Sequence, residues 1–192
     1  MANQEDSRRE FLLRSVSGLS SAWIVLHWPS VLAAHEHARS SATDANAKLE
    51  FLSPEEATDI EAMAAQIIPS DDSAGAHEAG VIYFIDRALV TFDRERQPAY
   101  KDGLAMLASR TREMFPRAAT FSKLSNEQQV QLLTAIEKTE FFETVRQHTI
   151  MGFLCDPSYG GNRDQVGWKV IGFEQKHSWK PPFGYYDSEQ NP

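Results

Sequence analysis

Leu52-Ser53-Pro54-Glu55-Glu56-Ala57-Thr58-Asp59-Ile60-Glu61-Ala62-Met63-Ala64-Ala65-Gln66-Ile67-Ile68-Pro69 is the stretch whose reading decides the fold class. Ser53 is an N-cap residue type, Pro54 fits the first helical position, and Glu56 stands three residues after the serine, the spacing of a capping box. Ala57, Ile60, Ala64, Ile67 and Ile68 then recur at helical spacing until Pro69 halts them. An amphipathic helix of this kind is stable only when its apolar stripe is buried against other elements.

The rest of the chain supplies more helices. A polar loop, Ser70 to Gly75, leads to a second helix with Val81, Ile85, Ala88, Leu89 and Phe92 on one face. A third starts near Pro98 and carries Tyr100, Leu104, Leu107, Ala108 and Phe115. Ser125 with Gln128 repeats the capping-box spacing and opens a fourth through Val130, Leu133 and Ile136. Phe141, Val145, His148, Gly152 and Cys155 line a face of a fifth, and Asp164 is placed to cap a short helix presenting Trp168 and Ile171. No segment alternates as a half-buried strand would, and no repeat is visible. The expectation is an all-α fold, a compact bundle of about five to six helices with an irregular aromatic C-terminal tail.

The N-terminus reads differently. Ser7-Arg8-Arg9-Glu10-Phe11-Leu12-Leu13 sets two arginines before apolar residues and resembles a twin-arginine translocation signal. Val16 to Trp28 is weakly apolar and shorter than the ~18 residues a membrane span requires. Small residues at Val31-Leu32-Ala33-Ala34 suit signal peptidase. The expected organisation is therefore residues 1–34 as export signal, 35–50 as linker, 51–173 as the helical domain and 174–192 as an extended tail.

Charge and cysteine usage narrow the partners. The formal net charge is -8, and it stays there without residues 1–34, because Arg8, Arg9 and Arg14 offset Glu5, Asp6 and Glu10. About 160 residues remain, enough for one domain with a sizeable core. An acidic domain argues against nucleic acid as a partner. Cys155, the single cysteine, excludes an internal disulfide; it is either a buried thiol, the favoured reading, or half of an intersubunit bridge. His35, His37, Asp71, Asp72 and His77 have metal-ligand side chains, but their spacing suits an exposed terminus and a solvated turn better than a metal site. No G-x-G-x-x-G and no Cys-x-x-Cys-His is present, so neither a usual dinucleotide fold nor covalent haem is expected here. No catalytic, cofactor-binding or metal-ligating residue is assigned.

The most distinctive stretch follows the fifth helix: Cys155-Asp156-Pro157-Ser158-Tyr159-Gly160-Gly161-Asn162-Arg163-Asp164-Gln165-Val166-Gly167-Trp168. Pro157 blocks the helix, while Gly160, Gly161 and Asn162 tolerate positive φ and let the chain reverse tightly.

These residues carry a family resemblance. The Asp-Pro-x-Tyr-Gly-Gly-Asn turn, the Gly-Trp-x-x-Ile-Gly segment and the Leu52-to-Pro69 helix are similar to those of the small chain (subunit 3, or gamma) of gluconate 2-dehydrogenase and related membrane-bound flavin dehydrogenases, over roughly residues 50 to 175. The resemblance implies a complex in which a large subunit carries FAD and a multihaem cytochrome c subunit passes electrons to membrane quinone. It implies no catalytic residue in the small chain.

Combined with Arg8, Arg9, Phe11 and Leu12, the resemblance implies an accessory subunit. It would assist folding of a flavin subunit, take it through the twin-arginine translocase and stabilise the complex on the periplasmic side of the membrane. The alternative is a transient maturation chaperone. Asp156, Pro157, Tyr159, Gly160, Gly161, Asn162, Gly167 and Trp168 are candidates for the partner interface. Trp179, Phe183, Tyr185 and Tyr186 make the tail a candidate binding arm.

Overall fold

The computed structural model describes residues 48–176 and Ser178. Within them the chain forms α1 (Pro54–Ile67), α2 (Val81–Val90), α3 (Gln97–Met114), α4 (Asn126–Ile136), α5 (Glu140–Leu154) and α6 (Val166–Ile171). Short 3-10 turns lie at Arg94–Arg96, Phe121–Lys123, Pro157–Tyr159 and Arg163–Gln165. Among the described residues there is no strand, and the all-α expectation holds.

Both capping boxes form. Ser53 Oγ accepts the Glu56 N–H and Glu56 returns the bond to the Ser53 N–H; Ser125 and Gln128 do the same at α4. Each box satisfies two of the backbone donors that a helix start leaves without partners.

Helix α5 is the axis of the bundle, packing against α1, α2, α3 and α6. Tyr100, Phe121, Phe153, Ile60, Met63 and Leu107 are among the fully buried side chains that fill the core. The apolar faces mostly lie where the periodicity put them, with Ile68, Phe92 and Phe115 just past the ends of their helices. Helix α4 is the exception. Val130 was expected on its inner face but is exposed, and Leu132 is fully buried. The inward stripe runs through Gln129, Leu132, Leu133 and Ile136, because Gln129 has a core partner: its Nε2 donates to the Phe121 carbonyl at 3.3 Å while its Oε1 accepts from Gln66.

Helix α2 is the most enclosed element. It even buries a carboxylate, Asp86, which accepts the backbone N–H groups of Glu50 (2.7 Å), Phe51 (3.1 Å) and Leu52 (2.8 Å). One side chain thus fastens the chain entering α1 to the middle of α2, since buried backbone donors must find an acceptor.

Candidate functional site

Two constellations stand out, one sealed in the core and one at the end of α5. The core group links three elements. Tyr100 on α3, His148 on α5 and Asp93, just before the Arg94–Arg96 turn, are all buried. Tyr100 Oη lies 2.8 Å from His148 Nδ1, and His148 Nε2 lies 2.7 Å from Asp93 Oδ2. A carboxylate only accepts, so Nε2 carries a proton, and in the neutral imidazole Nδ1 then accepts the tyrosine O–H. Burial, and then the charge of Asp93, holds the Tyr100 phenol well above its ordinary value, which keeps it a donor. The rings of Tyr100 and His148 stack with centroids 5.7 Å apart.

Both nitrogens of His148 are therefore committed, and neither faces solvent. The histidine that shared a face with Cys155 in the sequence is a core pin, as its apolar setting suggested. Its partners were not legible: Asp93 and Tyr100 lie 55 and 48 residues away, and nothing local marks Asp93 apart from the charged residues around it.

The second constellation is the turn. Helix α5 ends with carbonyls that have no partner within the helix, as every helix does. Here distant side chains satisfy them. Asn162, fully buried, donates from Nδ2 to the Cys155 carbonyl at 2.8 Å and accepts the Gly167 N–H on Oδ1 at 2.8 Å. Trp168 Nε1 donates to the Leu154 carbonyl at 2.8 Å. Asp164 does not cap α6, contrary to expectation: it has φ 55° inside the preceding 3-10 turn, and α6 starts without a side-chain cap. Asn162 holds the start of that helix instead, through the Gly167 bond.

The glycines of the motif are required by close approach. A Cβ on Gly161 would lie 2.1 Å from the Gly152 carbonyl oxygen, and one on Gly167 would lie 1.8 Å from that of Phe153. Gly160 closes the Asp156-capped turn at φ 96°, a conformation that suits glycine. Asn162 and Gln165 also have positive φ, at 45° and 57°. The loop docks on the start of α2, where the Arg163 N–H donates to the Ala79 carbonyl at 2.9 Å. The Arg163 guanidinium sits over the Tyr83 ring, 5.2 Å from its centre.

The structure thus brings Asp156, Pro157, Tyr159, Gly160, Gly161, Asn162, Gly167 and Trp168 together as a clasp across α2, α5 and α6. Gly161, Asn162, Gly167 and Trp168 point inward, Pro157, Tyr159 and Gly160 are half-buried, and Arg163, Asp164 and Gln165 stay exposed. Cys155 is just past the end of α5, its Sγ 3.4 Å from the Gly152 carbonyl, and burial pushes the thiol up to about 12. Arg8, Arg9, Phe11 and Leu12 of the export signal, and Trp179, Phe183, Tyr185 and Tyr186 of the tail, lie outside the described residues.

Among the described residues no group of three or more His, Cys, Asp or Glu side chains is placed to hold a metal ion, and His77 instead lies 2.9 Å from Glu61. Among the same residues no helix is long and apolar enough to cross a membrane.

A family model described as Gluconate 2-dehydrogenase subunit 3 matches residues 54–174. No curated protein and no solved structure matches the chain.

Proposed function

The chain belongs to the gluconate 2-dehydrogenase subunit 3 family, and from that premise we propose that it is the non-catalytic small subunit of a membrane-associated, FAD-dependent sugar or sugar-acid dehydrogenase. In this reading it assists folding of the flavin subunit, leads it through the twin-arginine translocase and stabilises the complex in the periplasm. FAD belongs to the large subunit and haem c to a cytochrome subunit. The observation that carries the reading is the extent of the family match, which runs from the first residue of α1 to just beyond α6.

The chemistry of the described residues supports an accessory role. His148, a natural haem ligand by residue type, has both ring nitrogens engaged inside the core. The distinctive turn spends its polar atoms on the chain's own helix ends, which gives a rigid body suited to binding another protein. Arg8 and Arg9 would then serve a partner that lacks a signal of its own.

Replacing Arg8 and Arg9 with lysine is the direct test. The flavin subunit should accumulate in the cytoplasm, and its normal export in that variant would refute the escort role. Purification of the enzyme from membranes supplies the second arm. A fixed ratio of this chain to FAD supports a resident subunit, whereas a substoichiometric trace would mark a transient chaperone.

A further inference from the structure

Helix α2 shows the outside only a narrow stripe: every residue from Val81 to Leu89 is buried except Tyr83 and Arg87, with Val90 half-buried at the helix end. Positions 83, 87 and 90 follow the i, i+4, i+7 pattern of one helical face. A face meant for water alone usually carries Lys and Glu, whereas Tyr and Arg around an aliphatic residue match the composition of protein interfaces.

Two more arginines border the stripe. Arg163 from the clasp lies over Tyr83, and Arg94 reaches back to donate to the Val90 carbonyl at 2.6 Å. Among the described residues none of Arg87, Arg94 and Arg163 forms an ion pair, in a chain of net charge -8. The Arg87 Nη1 atom is buried with no hydrogen-bond partner. Among the described residues the other such side-chain atom is Ser158 Oγ, two residues from Gly160, which packs beside the Tyr83 and Phe84 backbone. Buried donors without acceptors are uncommon and need an explanation.

We infer that the Tyr83–Arg87–Val90 stripe, with Arg94 and Arg163, is the docking surface for a carboxylate-bearing segment of the flavin subunit. This rests on the accessory-subunit reading. Guanidinium groups form paired hydrogen bonds to carboxylates, and a partner acid that draws the half-buried Arg87 side chain outward supplies the acceptor its Nη1 lacks. A protein partner fits better than an anionic membrane. The whole chain is acidic and Glu95 and Asp164 flank the stripe, so the long-range field repels a charged bilayer while short-range pairing to single carboxylates survives.

The test uses the full chain co-expressed with the flavin subunit. Arg163→Lys and Arg94→Lys place amines where a water-soluble carbodiimide can couple them to a nearby carboxylate. Mass spectrometry should find links from position 163 or 94 to an Asp or Glu of the flavin subunit. The double variant Arg94→Gln, Arg163→Gln, both at exposed positions, should raise Kd by roughly tenfold or more and flatten its salt dependence, with thermal unfolding unchanged. Unimpaired binding by that variant overturns the arginine stripe and leaves the subunit reading intact. So do links only to this chain's own Asp187 or Glu189, or a loss confined to binding phosphatidylglycerol vesicles. Failure of the wild-type chain to bind the flavin subunit overturns both.

Discussion

The side-chain amide of Asn162 and the backbone carbonyl of Cys155 meet at 2.8 Å, so a residue seven positions beyond Cys155 closes α5. The same side chain accepts the Gly167 N–H, which makes it the joint between α5 and α6. The distinctive turn is held by this joint.

Asn162→Ala removes both bonds and leaves a half-buried carbonyl and a buried N–H without partners. Each orphaned group costs about 1–3 kcal/mol, so urea unfolding should lose roughly 2–4 kcal/mol. Asn162→Asp keeps the acceptor for Gly167 but sets a carboxylate against the Cys155 carbonyl, and should do no better than alanine. Unchanged stability in both variants would show that these two bonds do not hold the turn.

Gly167→Ala tests the close approach instead of the hydrogen bond. Its Cβ would lie 1.8 Å from the Phe153 carbonyl oxygen, and backbone cannot rotate aside as a side chain can. Helix α6 must lift, at about 3 kcal/mol, and Trp168 should leave its buried site. A red-shifted tryptophan emission with faster amide exchange at residues 166–171 is expected; native exchange rates would contradict the packing.

Tyr100 and His148 should show thermodynamic coupling. Tyr100→Phe leaves Nδ1 of His148 without its donor and costs about 1–2 kcal/mol. His148→Phe costs more, since it leaves the Asp93 carboxylate facing a ring. The double variant should fall short of the sum by about 1 kcal/mol, the usual size for residues in direct contact. Strict additivity would mean that the 2.8 Å contact contributes nothing to folding.

Cys155 predicts both a reactivity and a pH dependence. Burial raises the thiol from its ordinary 9.0 to about 12, so the folded protein keeps it protonated where the unfolded chain ionises. Its contribution to stability is full below pH 9.0 and declines as pH rises from there toward about 12. Cys155→Ser, or Cys155→Ala, should flatten the alkaline limb of the stability curve. Iodoacetamide at pH 8 should label the native protein far more slowly than the urea-unfolded chain, because the thiolate is the reactive form. Equal labelling rates would show that the thiol is open to solvent, as an intersubunit disulfide would require.

Local signals in the sequence determined the elements. Ser53 and Glu56, Ser125 and Gln128, Pro54 and Pro69 act over three or four residues, the range within which helix starts and stops are set, and the apolar period then assigned the inner faces. The family was also legible, from the turn and the first helix. Val130 shows the limit: an apolar residue near the stripe was counted inward, because the partner that draws Gln129 into the core lies in another segment. The roles of Asp86, Asp93 and Asn162 were likewise decided only by the tertiary structure. Each looks like a loop or surface residue until folding brings it a distant partner: three N–H groups 34 to 36 residues away for Asp86, His148 for Asp93, and the end of α5 for Asn162. Burial removes the water that would otherwise satisfy these groups, so their hydrogen bonds are fixed by which segments meet, and no single stretch of sequence contains that information.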